Sequence, residues 1–228
     1  MNSDSHKPAI PFDGTTRLFP LPGLVQFPGI FQGLHIFEQR YRQMTADALA
    51  DDQRITLVLL QEGWDRNYDL APPIHPVGCL GNIVRSELLD DGRYNLLFEG
   101  THRVRILEEL PTDRLYRTAK VEILPTIEDL SEPIARQLRD TFQQTILPYF
   151  PETQTQAKLK KLFQNENLTL VMELLASQLP LPFQSKQILL EMDGAEDRIR
   201  FFLEVFQQTM DNLRTPNRGN YDQPFSEN

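Results

Sequence analysis

Cys79, in the stretch PVGCLGNIV, is the only cysteine in the chain, and His75 and His102 are the bases available to it. A cysteine attacks as its thiolate, so a nucleophilic role needs such a base beside it. Cys79 also shares strand parity with Val77 and Ile83, and free cysteine is among the most buried residue types. Core packing is the preferred reading, and a Cys79 enzyme ranks last. The other chemistry-bearing residues are scattered. His6, His35, His75 and His102 form no HExxH pattern and no close pair, so no metal site is expected from spacing. Asp51-Asp52, Asp90-Asp91 and Glu108-Glu109 fall at element ends and turns, and neighbouring residues of a strand point to opposite faces, which keeps such carboxylates apart. No glycine-lysine pair occurs anywhere, which excludes a P-loop, and no GxGxxG is present for a dinucleotide. No cofactor is expected.

Composition narrows the classes further. The 228 residues carry a net charge of −9, with 40% hydrophobic and 24% charged residues. That balance fits a globular protein and opposes polyphosphates at long range, so nucleic acid is a disfavoured partner. Arg103, Arg105, Arg114, Arg117 and Lys120 lie on or between strand-like runs, but only Tyr116 interleaves with them, and a single-strand binder needs stacking aromatics. One cysteine allows no internal disulfide. The N-terminus MNSDSHKPAIPFDGTT lacks the apolar stretch of a secretory signal, and no run approaches a membrane span. A cytoplasmic protein without membrane contact is expected.

The elements that must position these residues change rhythm once. From Arg17 to about Pro125 the chain reads as strands. RITLVLL is an apolar run, RYNLLFEG alternates Tyr94, Leu96 and Phe98 against Asn95 and Glu99, and HRVRILEEL sets Val104 and Ile106 against Arg103 and Arg105. YRTAKVEIL sets Val121 and Ile123 against Lys120 and Glu122. Gly92 in DDG supplies a hairpin turn. One helix interrupts the strands, its apolar face formed by Phe37, Tyr41, Met44 and Ala48. After Ser131 the period becomes helical. Ser131 caps a helix with the stripe Ile134, Leu138, Phe142 and Ile146 that Pro148 ends, and Asn167 caps LTLVMELLASQL. Asp193 with Glu196 forms a capping box for a last helix burying Ile199, Phe202, Phe206, Met210 and Leu213. The expected organisation is a flexible leader over 1–16, a strand-built unit over 17–125, a helical unit over 126–214 and a disordered tail over 215–228.

Four segments in order, LFPLPGLVQFPG, LHIFEQRYRQM, HPVGCLGNIV and DGRYNLLFEGTHRVRILEE, together resemble the N-terminal domain of the ATP-dependent Lon proteases. The helical portion LLASQLPLPFQSKQILLEMDGAEDRIRFFLEVF continues the likeness, which covers roughly residues 17 to 210. The resemblance implies an α+β fold, a small PUA-like β-barrel with an inserted helix followed by a C-terminal helical bundle. It also implies substrate recognition without catalysis, because the ATPase and Ser-Lys peptidase of Lon lie beyond this region. The expectation is a stand-alone, non-enzymatic substrate-binding-domain protein that holds unfolded or apolar protein segments, as an adaptor or modulator working with a protease or chaperone component. RNA binding through the PUA-like barrel is the alternative. The motif positions are Ile36, Phe37, Glu38, Arg40, Tyr41, Gly100 and Arg103. Ile36, Phe37 and Tyr41 are expected to anchor the helix, and Glu38 and Arg40 to pair with strand charges, Arg103 among them. Where the family usually has a proline before the L-x-I-F-E pattern, this chain has Gln32-Gly33, which makes the approach to the helix more flexible.

The candidate binding residues are Ile30 and Phe31, in PGIFQG. A loop between Gly29 and Gly33 that moves and exposes both side chains would grip an apolar client. The competing reading has the same residues plugging the barrel.

Overall fold

The computed structural model describes residues 11–66, 71–125 and 130–214. The expected tail over 215–228 and most of the expected leader lie outside these residues. The strand rhythm of the first half produces β1 (Thr15–Leu21), β2 (Phe31–Ile36), β3 (Arg54–Leu59), β4 (Val77–Leu88), β5 (Tyr94–Leu110) and β6 (Thr118–Ile123), with helix α1 (Gln39–Ala50) between β2 and β3. They form one six-stranded mixed sheet in the order β2-β5-β4-β3-β1-β6, and β5 also pairs with β6. Only β1 and β3 run parallel; the other pairings are antiparallel. The pairings thus return from β6 to β5, while β2 lies outside that circuit, so the sheet is not a clean barrel.

RYNLLFEG and HRVRILEEL, read as separate runs, are one 17-residue strand, β5. Its long partner β4 shifts register twice, between Leu80 and Gly81 and between Ile83 and Arg85. Gly100 marks the crowded point. A Cβ there would collide with the Phe27 carbonyl and sit 2.8 Å from the Cys79 sulfur. Only glycine lets the two strands and the 24–30 segment come this close.

Helix α1 packs Tyr41, Met44 and Ala48 onto Phe19, Leu34, Ile36, Leu96 and Phe98. Phe37 does not join them: it is 61% exposed. The helix begins at Gln39, so Phe37 still belongs to extended chain, where the period of two turns Ile36 inward and Phe37 outward.

The later segment folds as α2 (Glu132–Ile146), a 3-10 turn (Leu147–Tyr149), α3 (Thr153–Asn165), α4 (Leu168–Gln178), α5 (Phe183–Glu191) and α6 (Ala195–Arg214). Helix α2 buries Leu138, Phe142 and Ile146 and gives way to the turn containing Pro148. Asn167 caps α4, its Oδ1 accepting from the backbone N–H groups of Thr169 (2.8 Å) and Leu170 (3.2 Å). The expected Asp193–Glu196 box does not form. The Gly194 carbonyl already accepts the Arg198 N–H, so Asp193 lies outside the helix, and Glu196 pairs with Arg200 instead. Leu213, expected inside, is exposed near the end of α6. The largest core joins the helices to the strands: Val25, Phe27, Ile30, Leu59 and Val77 pack with Leu138, Phe142, Phe163, Met172, Phe202 and Phe206.

Candidate protein-binding face

Phe31, Gly33 and His35 share one parity of β2, with the side chains of Phe31 and His35 on the same face, and all three residues are exposed. Phe37 continues the same parity, its ring stacked against His35 with centroids 6.3 Å apart. The result is an aromatic stripe broken at Gly33, where a Cβ would meet nothing within 4 Å. Behind it on β5 stand Glu99, Leu97 and Asn95, paired in register with Phe31, Gly33 and His35, and Leu97 is exposed as well. The opposite parity, Leu34 and Ile36, lies in the core against α1. At the far end, Phe37 walls a shallow groove of about 250 Å³ with Phe19, Leu21, Pro22 and Tyr41.

Polar groups order one end of this face. Arg93 Nη1 lies 3.1 Å from His35 Nε2, and His35 Nδ1 lies 2.8 Å from Asn95 Oδ1. Asn95 Nδ2 in turn donates to Glu87 Oε2 at 3.1 Å. A guanidinium can only donate, so Nε2 is the acceptor and the imidazole carries its proton on Nδ1. The ring that stacks on Phe37 is therefore held from both nitrogens.

Ile30 and Phe31 part company. Phe31 is 55% exposed, but Ile30 is only 6% exposed and packs in the helical core. The expectation that a mobile loop presents both is corrected here, for two reasons. Gln26, itself buried, donates from Nε2 to the Phe27 carbonyl (3.0 Å) and the Ile30 carbonyl (2.7 Å), clamping the segment. Gly33 is not a loop hinge either, because it sits inside β2. Ile30 plugs the sheet onto the helices; Phe31, one residue on, faces outward.

Arg103 also departs from its expected place. Strand parity put it beside Arg105 on a solvated face, yet it is 2% exposed. Its Nη1 donates to the carbonyls of Leu190 (3.0 Å) and Met192, and its Nη2 to the Pro125 carbonyl (3.0 Å) and to Asp193 (3.3 Å). Both faces of β5 are covered at this point, one by the sheet interior and the other by α5. Burial, and then the neighbouring Arg198 charge, pulls its guanidinium below the ordinary arginine range, while Asp193 acts in the opposite sense. Glu38 pairs with Arg40 at 2.8 Å rather than with Arg103.

The remaining expected basic residues are matched by carboxylates. Arg105 is 4.0 Å from Glu122, Arg114 is 3.3 Å from Asp47, Arg117 pairs with Glu109, and Lys120 stands in register with Glu108. Among the described residues these side chains form no basic groove, and the RNA alternative gains no support.

Cys79 is fully buried, its Sγ 3.6 Å from the Leu80 carbonyl, and burial pushes the thiol far above its ordinary value. A thiol reagent at neutral pH is expected to leave the folded chain unmodified and to label it stoichiometrically in denaturant. The raised folded value also predicts a pH dependence. Its stabilising contribution is complete below the unfolded thiol value of about 8.5 and is lost above it, at about 1.4 kcal/mol per pH unit. Denaturant titrations of the parent and of Cys79→Ala between pH 8 and 10 isolate that slope. Among the described residues, no group of three or more His, Cys, Asp or Glu is placed to hold a metal ion. No described helix is long and apolar enough to cross a membrane.

The architecture defines a mixed α+β protein with the fold of Lon N-terminal domains. A Lon N-terminal domain protein from Xanthomonas campestris superposes with a TM-score of 0.61 over 83% of this chain and 97% of that one, at 23% identity. The N-terminal domain of a Mycobacterium avium complex Lon protease gives 0.66 over 84% and 97%, at 12% identity. The chain belongs to the family of the ATP-dependent protease La (LON) substrate-binding domain, whose model matches residues 15–208. Among curated proteins it is 26% identical over 207 residues to the Lon protease of Cytophaga hutchinsonii, an alignment covering 89% of this chain and 25% of that protein. The Lon protease of Brevibacillus choshinensis is 26% identical over 200 residues, covering 82% and 24%. The chain thus spans about a quarter of the length of these relatives.

Proposed function

We propose that this protein is a non-enzymatic module that recognises exposed apolar segments of client proteins and acts as an adaptor or modulator of proteolysis. The observation that carries the reading is the aromatic stripe of Phe31, His35 and Phe37, left open to solvent on a chain whose family is a substrate-binding domain. Clusters of exposed apolar side chains on an otherwise charged surface mark protein-binding sites. The strand-built part over 17–125, read as a PUA-like subdomain, displays the stripe. The helical bundle over 126–214 fixes it from behind through Ile30. Its place of action is the cytoplasm, where unfolded clients and proteases meet.

Titration of an unfolded, apolar model protein against the purified chain tests this. Binding with a Kd on the order of 10 μM, about −7 kcal/mol, is expected, and no binding in that range overturns the reading. Phe31→Ser sharpens it. Because Phe31 is a surface residue, the melting temperature is expected to stay within about 2 °C of the parent. Client binding is expected to weaken about tenfold, equivalent to about 1.4 kcal/mol. A variant that melts far lower places Phe31 in the framework instead.

A further inference from the structure

We infer that the open edge of β2 takes up an extended segment of the client as an additional strand. This deepens the client-binding reading and rests on it. β2 is the outermost strand in the order and pairs only with β5 among the described strands. Its backbone direction follows from its first hydrogen bonds. The Gly29 N–H donates to the Gly100 carbonyl (2.9 Å), and the Gly100 N–H donates to the Ile30 carbonyl (3.1 Å). With Gly29 at φ +72°, two residues oppose one in a glycine bulge. Hydrogen-bonded positions alternate from there, so Gln32, Leu34 and Ile36 bond inward to β5. The N–H and C=O groups of Phe31, Gly33 and His35 consequently point to the open edge.

Two further observations agree. Gln32 Nε2 donates to the Gly33 carbonyl at 2.9 Å, an acceptor the sheet has not used. The exposure of Gly33 is largely exposure of main chain, since it has no side chain. The strand FQGLHI also contains neither a charged residue nor proline, although 24% of the whole chain is charged. Natural edge strands usually carry such residues to prevent pairing. This edge lacks the guard.

The chemistry of the occupant follows from the face behind the edge. A bulky apolar side chain fits the gap at Gly33, between Phe31 and His35. Among the described residues, Glu99, in register with Phe31, has no ion-pair partner, and Glu87 accepts only the Asn95 amide. Against these two carboxylates stand the guanidinium of Arg85, opposite Leu97, and that of Arg93 beside His35, the latter already paired with Asp91 at 2.6 Å. An added strand lies two strand spacings from Glu99, about 10 Å, which a lysine or arginine and the glutamate close between them. The fitting client segment therefore alternates, with a basic residue two positions from a bulky apolar one on the same face. A second copy of this chain fits less well, because it brings another net charge of −9 to the edge.

The test uses the whole chain and a labelled seven-residue peptide with threonine at odd positions and lysine, leucine, lysine at even ones. Two analogues are N-methylated at all odd or all even positions, keeping every side chain but removing alternate N–H donors. Strand addition predicts that one analogue loses at least tenfold in affinity while the other stays within about twofold of the parent. Glutamate in place of lysine is expected to weaken binding at least fivefold. Gly33→Pro removes an outward N–H without breaking a β2–β5 bond, and should lose tenfold at an unchanged melting temperature; if it fails to fold, the methylated pair decides. Equal binding by both analogues overturns strand addition, as does a peptide that fails to bind while an unfolded protein binds; either leaves the client-binding reading standing. Self-association through β2 that excludes the peptide overturns the assignment of the occupant. Absence of binding to peptide and unfolded protein alike removes both.

Discussion

Replacing Arg103 by methionine is expected to cost about 2–3 kcal/mol of stability and to lower the melting temperature by about 8 °C. The loss comes from the groups left behind. Leu190 and Met192 lie at the C-terminal end of α5, where helix carbonyls lack intrahelical donors, and Pro125 follows β6 by two residues. One guanidinium serves all three and joins positions 87 and 89 residues apart in sequence. Methionine keeps most of the volume but none of the donors, so the Leu190 carbonyl stays buried and unpaired while those of half-buried Met192 and exposed Pro125 turn to water. Lysine is expected to rescue little, because a single ammonium cannot reproduce the planar fork. Differential scanning calorimetry of Arg103→Met and Arg103→Lys checks this. A loss below about 1 kcal/mol for the methionine variant shows that water replaces the guanidinium. The same loss should slacken the contact between helices and sheet, and so weaken client binding without any change at Phe31.

The second large effect is expected at the Arg198–Glu173 pair. Arg198 of α6 is 2% exposed and Glu173 of α4 is 6% exposed, with Nη2 and Oε1 2.7 Å apart. Arg198 Nε also donates to the Leu189 carbonyl at 2.9 Å, so one side chain ties three helices together. Glu173→Leu leaves the arginine charge buried without its counter-charge, next to the like charge of Arg103. A loss of about 3–5 kcal/mol is expected. Removing both charges behaves differently, because the desolvation of two ions is removed along with their attraction. Arg198→Met with Glu173→Leu is expected to recover most of the loss, which makes the double-mutant cycle strongly non-additive. Urea titrations of the four proteins measure it. Additive losses show that the two side chains act separately and that the ion pair is incidental.

These two contacts help to hold the proposed binding face in place. The stripe lies on a strand that pairs, among the described strands, with β5 alone, which by itself would restrain it loosely. Ile30, clamped by Gln26 and buried in the same core as residues of the helices, joins the start of that strand to them. Arg103 fastens the helices to β5 from the other side. In the proposed complex, the face is positioned by residues that never touch the client.

Local patterns determined a large share of this protein. The alternation through Tyr94, Leu96 and Phe98, the hairpin at Gly92, the Asn167 cap and the stripe Leu138, Phe142 and Ile146 all follow from residues a few positions apart. Backbone geometry acts at that range, so strand and helix periods are legible without any knowledge of the neighbours. The ordered motifs carried the family for the same reason. What the residues could not reveal was which faces another layer covers. Arg103 reads like Arg105, and only α5, some ninety positions later, makes one of them a buried clamp and leaves the other in solvent. Ile30 and Phe31 read alike as apolar loop residues, and Gln26 with the helical core draws one inward and leaves the other outside. Phe37 reads as the first residue of a helical face, but the helix begins two residues later and extended chain turns it to solvent. Period fixes the direction of a side chain relative to its own backbone; burial depends on what the distant chain brings to that side, and only the tertiary structure supplies it.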